Sequence, residues 1–228
     1  MVEISIHVIT TETVRQTDCR LLAERMPARF QRAMRYRFER DRLLCLGAGW
    51  LMMEALGVRD EREIRYGSYG KPYVPGKRAF SISHSGTCSI LACGEAKRIG
   101  ADIEEVDERN IDIASKVYTE RELAWMDRDR VERFFRLWTW KECIMKATGM
   151  GFNLEPRSFE VLPFTVGQPT WVAGHRWHAW EGQLGQSRIA VCADEPIGQV
   201  HLVEYGKAQE ADGAVAALRF VLKTSSTR

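Results

Sequence analysis

The chain has 228 residues, 45% of them hydrophobic, with 33 Lys and Arg against 31 Asp and Glu for a formal net charge of +2. That length and apolar content support a full core, in one large domain or two small ones, and a charge this near zero gives no general pull toward nucleic acid or a membrane. The longest apolar run, 43–53, is too short to cross a bilayer, and no basic segment precedes an apolar run at the N-terminus, so a cytoplasmic protein is expected.

In chain order, residues 2–9 alternate as a strand, and Pro27 opens a helical stretch that runs toward Leu56, with a break near Asp41 and Gly57 as its stop. Arginines at 25, 29, 32, 35, 37, 40 and 42 interleave there with Phe30, Met34, Tyr36 and Phe38, which makes either an anion-binding surface or an amphipathic helix with a solvated basic face. Residues 79–83 and 88–93 read as a hairpin around a turn holding His84, and 97–104 returns as a third strand, giving a β-α-β-β-β unit. The second half repeats this order loosely. Short helices are expected at 110–118 and 120–128, a long one at 134–148, and strands near 158–162, 177–181, 187–193 and 200–205, with a tail at 208–222 whose Ala and Leu have helical spacing. His175 and His178, among Trp171, Trp177 and Trp180, read as strand and turn residues rather than a metal pair. The six cysteines form no C-x-x-C pair and are read as reduced thiols.

Three segments carry chemistry. Asp102 and Glu104 are two apart in a strand, so both carboxylates share a face, where they repel unless a cation sits between them. Mg²⁺, which takes oxygen ligands and substrate phosphates, suits such a pair, and a solvated acidic edge is the plainer alternative. The turn Ser83-His84-Ser85-Gly86 is small and rich in donors, an anion cradle or a surface turn, and no P-loop pattern occurs anywhere in the chain. Over 131–148 there is no Pro or Gly; a helix there puts Trp138, Glu142 and Lys146 along one face, and Glu142 with Lys146 alone would be an ordinary i, i+4 ion pair.

The joint order of these pieces resembles the 4′-phosphopantetheinyl transferases of the surfactin-synthetase-activating (Sfp) type. It is carried by Arg42 in Asp-Arg-Leu-Leu-Cys-Leu-Gly, Tyr69-Gly70-Lys71-Pro72, Phe80-Ser-Ile-Ser-His-Ser-Gly86, Asp102-Ile-Glu104 and Phe135-Arg-Leu-Trp-Thr-Trp-Lys-Glu-Cys-Ile-Met-Lys146, with a looser match at Gly149-Met-Gly-Phe152. Ala101 stands where the family commonly has Gly. The resemblance implies an α+β fold of two similar halves in pseudo-twofold arrangement, here 1–106 and 107–228, with the site between them. It implies transfer of the phosphopantetheine arm of coenzyme A to a serine of an acyl or peptidyl carrier protein, by a monomer that needs neither nucleic acid nor membrane.

By the same resemblance, Asp102, Glu104 and Glu142 would hold Mg²⁺ against the pyrophosphate, with Lys146 reaching the same phosphates. Ser83 and His84 would hydrogen-bond phosphate oxygens, while Lys71 and Arg42 would surround the 3′-phosphate, joined by Lys141 and Arg29. Glu142 would take the serine proton, directly or through a water, which makes Glu142, Lys146 and His84 the expected catalytic set. Glu122 falls near a family glutamate, but is equally the N3 residue of a capping box with Thr119. An Mg²⁺-dependent pyrophosphate hydrolase and a carrier-binding module without catalysis are the competing functions.

Overall fold

The computed structural model describes residues 1–162, 168–206 and 219–223, the last of these as backbone. Strand β1 (Val2–Thr10) leads into helices α1 (Thr11–Arg15), α2 (Arg20–Arg25), α3 (Pro27–Arg35) and α4 (Glu39–Leu56). The short strands β2 (Arg65–Tyr66) and β3 (Pro72–Tyr73) precede the hairpin β4 (Ala79–Ser85) and β5 (Cys88–Gly94), then β6 (Ile99–Glu105). Helices α5 (Ala114–Val117), α6 (Glu120–Met126) and α7 (Arg130–Thr148) are followed by β7 (Thr170–Val172), β8 (His175–Leu184), β9 (Ser187–Ala193), β10 (Ile197–Gly206) and β11 (Arg219–Lys223). The protein is thus of mixed α+β type. None of the described helices is long and apolar enough to cross a membrane.

Two sheets form the centre. One has the order β11-β10-β1-β5-β4, the other β6-β9-β8-β7, while β2 and β3 pair with each other. The expected third strand of the first unit therefore pairs with β9 rather than with the hairpin, and β10, late in the chain, runs parallel to β1. Strand pairing crosses residue 106 in both directions.

Alternation along the strands sorts the side chains into layers. Ile4, Ile6 and Val8 of β1 and Ile90 and Ala92 of β5 pack against Ile99, Ala101 and Ile103 of β6 and Ile189 and Val191 of β9. The opposite face of the first sheet, through Ile9, Leu91 and Cys93, meets α4. That helix is apolar nearly all round and buried, as a helix of this composition must be. The opposite face of the second sheet, through Ala190 and Cys192, meets α7. With Ile99, Ala101 and Ile103 committed to the layer between the sheets, Gly100, Asp102 and Glu104 point the other way.

Several expectations change against the structure. The helical break lies at residues 36–38, before Asp41, and the Arg42 guanidinium secures that corner by donating to Tyr36 O (2.8 Å) and Arg37 O (3.2 Å). No strand forms at 158–162; residues 156–158 make a short 3-10 turn instead. Backbone groups there are satisfied by buried side chains: Lys141 Nζ donates to Pro156 O and Phe159 O, and Val161 N donates to Glu122 Oε1. Of the expected helical tail, 219–222 belongs to β11, paired antiparallel to β10, and the rest lies outside the described residues. All six cysteines are free thiols.

Candidate functional site

A cavity of about 820 Å³ has His84, Ser83, Asp102, Glu104, Glu142 and Lys146 in its walls. Its volume falls in the range of small-molecule sites. Four of these residues stand on strands: Ser83 and His84 near the end of β4, Asp102 and Glu104 on the face of β6 turned away from the inter-sheet layer. Glu142 and Lys146 come from successive turns of α7. Gly100 lets that helix approach: a Cβ there would lie 1.9 Å from Cys143 O and 2.7 Å from Ala147 N, so any side chain would force strand and helix apart. Cys143 Sγ donates to Gly100 O at the same crossing, 3.3 Å away.

Asp102 is the buried hub, 1% exposed. Its Oδ1 accepts from Ser83 Oγ (2.7 Å) and Lys146 Nζ (2.6 Å), and Lys146 Nζ also donates to Ser83 Oγ at 2.7 Å. Its Oδ2 is buried without a hydrogen-bond partner. Glu142 Oε2 lies 3.9 Å from Lys146 Nζ. Glu104 is held by two neutral donors, Trp138 Nε1 (3.1 Å) on Oε1 and Ser85 Oγ (2.9 Å) on Oε2. Ser85 Oγ in turn accepts from Glu105 N at 3.0 Å, which ties the hairpin turn to the end of β6.

Three carboxylates thus surround one ammonium, and the imbalance is legible in their ionisation. Burial, followed by the charge of Asp102, pushes Glu104 up to about 7. Burial also raises Glu142 to about 7, with Asp102 and Glu104 adding to the rise and Lys146 opposing it. For Lys146, burial works against the charge, but Asp102 and Glu142 outweigh it and raise the ammonium's pKa. His84 keeps much of its surface open, yet desolvation by its neighbours, and then the Lys146 charge, lower its pKa and favour the neutral ring.

The remaining sequence-predicted residues divide. Arg29 joins the cavity wall; it is buried, its Nε has no partner, and burial first, then Arg32, lowers its pKa. Arg42 and Lys71 are not in that wall. Arg42 braces the corner before α4, and Lys71 Nζ donates to two backbone carbonyls, Ile99 O (2.7 Å) and Ala147 O (3.3 Å). Lys141 turns away from the cavity into the core, where its Nζ pairs with Glu122 Oε2 at 2.9 Å, both side chains fully buried. Glu122 completes the expected capping box with Thr119 and also accepts from Val161 N, so its bonds are structural.

Tyr66 lines the cavity with no signal in the sequence, whereas Arg40 and Tyr36 were legible only as members of the basic stretch, and Ser85 and Trp138, the donors that fix Glu104, only as neighbours of site residues. A signal existed for the donors: Ser85 lies in the His84 turn, and Trp138 shares the helix face of Glu142 and Lys146. Among the described residues, no group of three or more His, Cys, Asp or Glu side chains is already gathered as a metal-ligating set; Lys146 Nζ lies 2.6 Å from Asp102 Oδ1.

Residues 98–192 match the family model of the 4′-phosphopantetheinyl transferase superfamily. Among curated proteins, the chain is 34% identical over 113 residues to 4′-phosphopantetheinyl transferase gsp of Aneurinibacillus migulanus, covering 47% of each chain. It is 35% identical over 117 residues to 4′-phosphopantetheinyl transferase Sfp of Bacillus subtilis, covering 48% of this chain and 52% of the relative. A longer match, 30% over 168 residues, links it to the L-aminoadipate-semialdehyde dehydrogenase-phosphopantetheinyl transferase of Xenopus laevis, covering 61% of this chain and 55% of the relative. In each case the match spans about half of the relative's own length.

Proposed function

We propose that this chain, whose residues 98–192 match the family model of the 4′-phosphopantetheinyl transferase superfamily, is an Sfp-type enzyme. It moves the 4′-phosphopantetheine arm of coenzyme A onto a serine of an apo acyl or peptidyl carrier protein and releases adenosine 3′,5′-bisphosphate. The observation that carries the reading is the convergence of Asp102, Glu104, Glu142, Lys146, Ser83 and His84, from three separate elements, on one cavity that also holds Arg29, Arg32 and Arg40.

The substrate brings a pyrophosphate and a 3′-phosphate, for which arginines and an ammonium are natural partners. The carboxylates of Asp102, Glu104 and Glu142 beside Lys146 would repel it, unless a hard cation stands between acid and phosphate. The residues fit Mg²⁺: the donors are all oxygens, Asp102 Oδ2 is buried and unpartnered, and the other two carboxylates are pushed up to about 7 by burial first and by neighbouring acids after it. Asp102, Glu104 and Glu142 would hold the ion, which when bound neutralises charge on the bridging and leaving oxygens.

The chain's own residues do the rest. Arg29 and Arg32 bind phosphate, with the unpartnered Arg29 Nε as a ready donor. Lys146 and Ser83 orient the pyrophosphate, and a neutral His84 donates a hydrogen bond to one of its oxygens. The carrier serine oxygen then forms a bond to the β-phosphorus while the bond from that phosphorus to the bridging oxygen breaks, and adenosine bisphosphate leaves with the electron pair. Glu142 accepts the serine proton directly or through a water, and since a metal-held carboxylate is a weak base the route through a water is favoured. Catalysis is then mostly positioning and charge neutralisation.

The same reading takes 1–106 and 107–228 as pseudo-twofold halves of a monomer, each lending a strand to the other's sheet; the burial of α4 against one sheet and α7 against the other is what supports the likeness. The arginines of 25–42 that do not meet the nucleotide would dock an acidic, cytoplasmic carrier of fatty-acid, polyketide or nonribosomal-peptide synthesis. One assay tests the reaction: the protein is incubated with coenzyme A, Mg²⁺ and an apo carrier, and the carrier is weighed. A gain of one phosphopantetheine is the expected result. Free phosphopantetheine without a gain would indicate a pyrophosphate hydrolase, and binding without either product a module without catalysis; both overturn the proposal.

A further inference from the structure

Lys71 lies in the Tyr69-Gly70-Lys71-Pro72 turn, remote in sequence from both the acidic strand and the long helix. Burial lowers its pKa to about 8. Its ammonium is spent on two main-chain oxygens, Ile99 O at 2.7 Å and Ala147 O at 3.3 Å. Ile99 opens β6, three residues before Asp102. Ala147 lies in the last turn of α7, directly after Lys146, where carbonyls have lost their helical partners and a lysine is a favourable donor. The side chain lines two smaller cavities, of about 390 and 190 Å³, and is not in the wall of the large one.

At the crossing it spans, Gly100 lies directly against Cys143 O and Ala147 N. Glycine permits that approach but supplies no attraction, and Cys143 Sγ on Gly100 O is a weak bond. Lys71 adds a charged donor at this end of the crossing, alongside the Lys146–Asp102 pair that joins the same strand and helix. A shift of either backbone would pass directly to the contact between Lys146 Nζ and Asp102 Oδ1, 2.6 Å long.

We propose that Lys71 is a positioning residue: its ammonium clamps the strand bearing Asp102 and Glu104 to the end of the helix bearing Glu142 and Lys146, and sets the spacing of that cluster without gripping the nucleotide. The proposal rests on the transferase reading for its kinetic consequence, and on geometry alone for its structural one. The test is K71M and K71R in the full chain, read by amide hydrogen exchange and by steady-state kinetics with coenzyme A. In K71M, exchange at 99–104 and 145–149 should rise about 10-fold relative to the rest of the chain. Its kcat should fall about 10- to 100-fold, as expected for a sub-ångström misplacement, while KM for coenzyme A stays within about twofold. K71R should recover most of the loss.

A raised KM with unchanged kcat and unchanged exchange would make Lys71 a direct phosphate ligand and overturn the clamp, as would no change in any readout. Should K71M fail to fold, K71Q is held to the same split. If the wild-type protein transfers nothing, the proposed function falls, and the exchange data still decide the clamp by themselves.

Discussion

Helix α7 carries two lysines five residues apart, and the regions they enter are built from the same side-chain types to opposite ends. Behind the helix, Lys141 Nζ meets Glu122 Oε2 (2.9 Å), Pro156 O (2.7 Å) and Phe159 O (2.6 Å), an acceptor for each of its three donors. Facing the cavity, Lys146 is shared by Ser83 and Asp102 and sits 3.9 Å from Glu142, with Glu104 close enough to feel Asp102 and one oxygen of Asp102 unpartnered. The first region is saturated and closed; the second has more acid than base and opens to solvent. A balanced ion pair holds a fold together, whereas an unbalanced one stores an affinity for something the chain does not contain.

Turnover is where the two regions should differ most. Asp102→Asn should lower transfer by about two to four orders of magnitude, with little change in thermal stability, since it removes a charge from an acid-rich cluster. Mass spectrometry of the carrier and a melting curve together check this. Lys141→Met should do the reverse in kind: it leaves the Glu122 carboxylate buried and unpaired, at a cost of about 3–5 kcal/mol by denaturant unfolding. A Lys141→Met, Glu122→Leu double variant that is more stable than the single one would show that the cost is the orphaned charge.

The pH dependence sharpens the contrast. Glu104 and Glu142 are both pushed up to about 7, so between the ordinary glutamate pKa and that value the folded state binds more protons than the unfolded chain. Stability contributed there is complete at acid pH and is lost as pH rises through about 7, on the order of 3 kcal/mol for either group and less than twice that for both together. Unfolding measured across that range without Mg²⁺ should show the fall, and the Glu104→Gln, Glu142→Gln variant should not. The smallest effect belongs to the closed region's edge. Thr119→Ala removes the hydroxyl that caps α6, at about 1 kcal/mol, while Thr119 N can still donate to Glu122; transfer should be unaffected.

Much of the site was legible in local spacing. A strand's period of two put Asp102 and Glu104 on one face, and a helix's spacing of four aligned Trp138, Glu142 and Lys146, whatever the rest of the chain did. The His84 turn was readable from its small residues and Gly86, which adopts φ +56° between β4 and β5. The cations were less legible. Arg42, Lys71 and Lys141 carry the charge a phosphate site needs, yet each is engaged by carbonyl oxygens that only the folded chain brings near. Residues 158–162 have a strand's composition, but buried Lys141 and Glu122 take the backbone groups that a neighbouring strand would have paired.

By itself, the sequence determined which side chains share a face, where helices α4 and α7 stop, and that a capping box starts α6, because these follow from dihedral geometry within a few residues. Tertiary structure alone decided that β6 joins β9, that β10 returns to β1, and that Lys146 rather than Lys141 faces the cavity. Those choices depend on which apolar faces bury one another across long stretches of chain, and no local period records that.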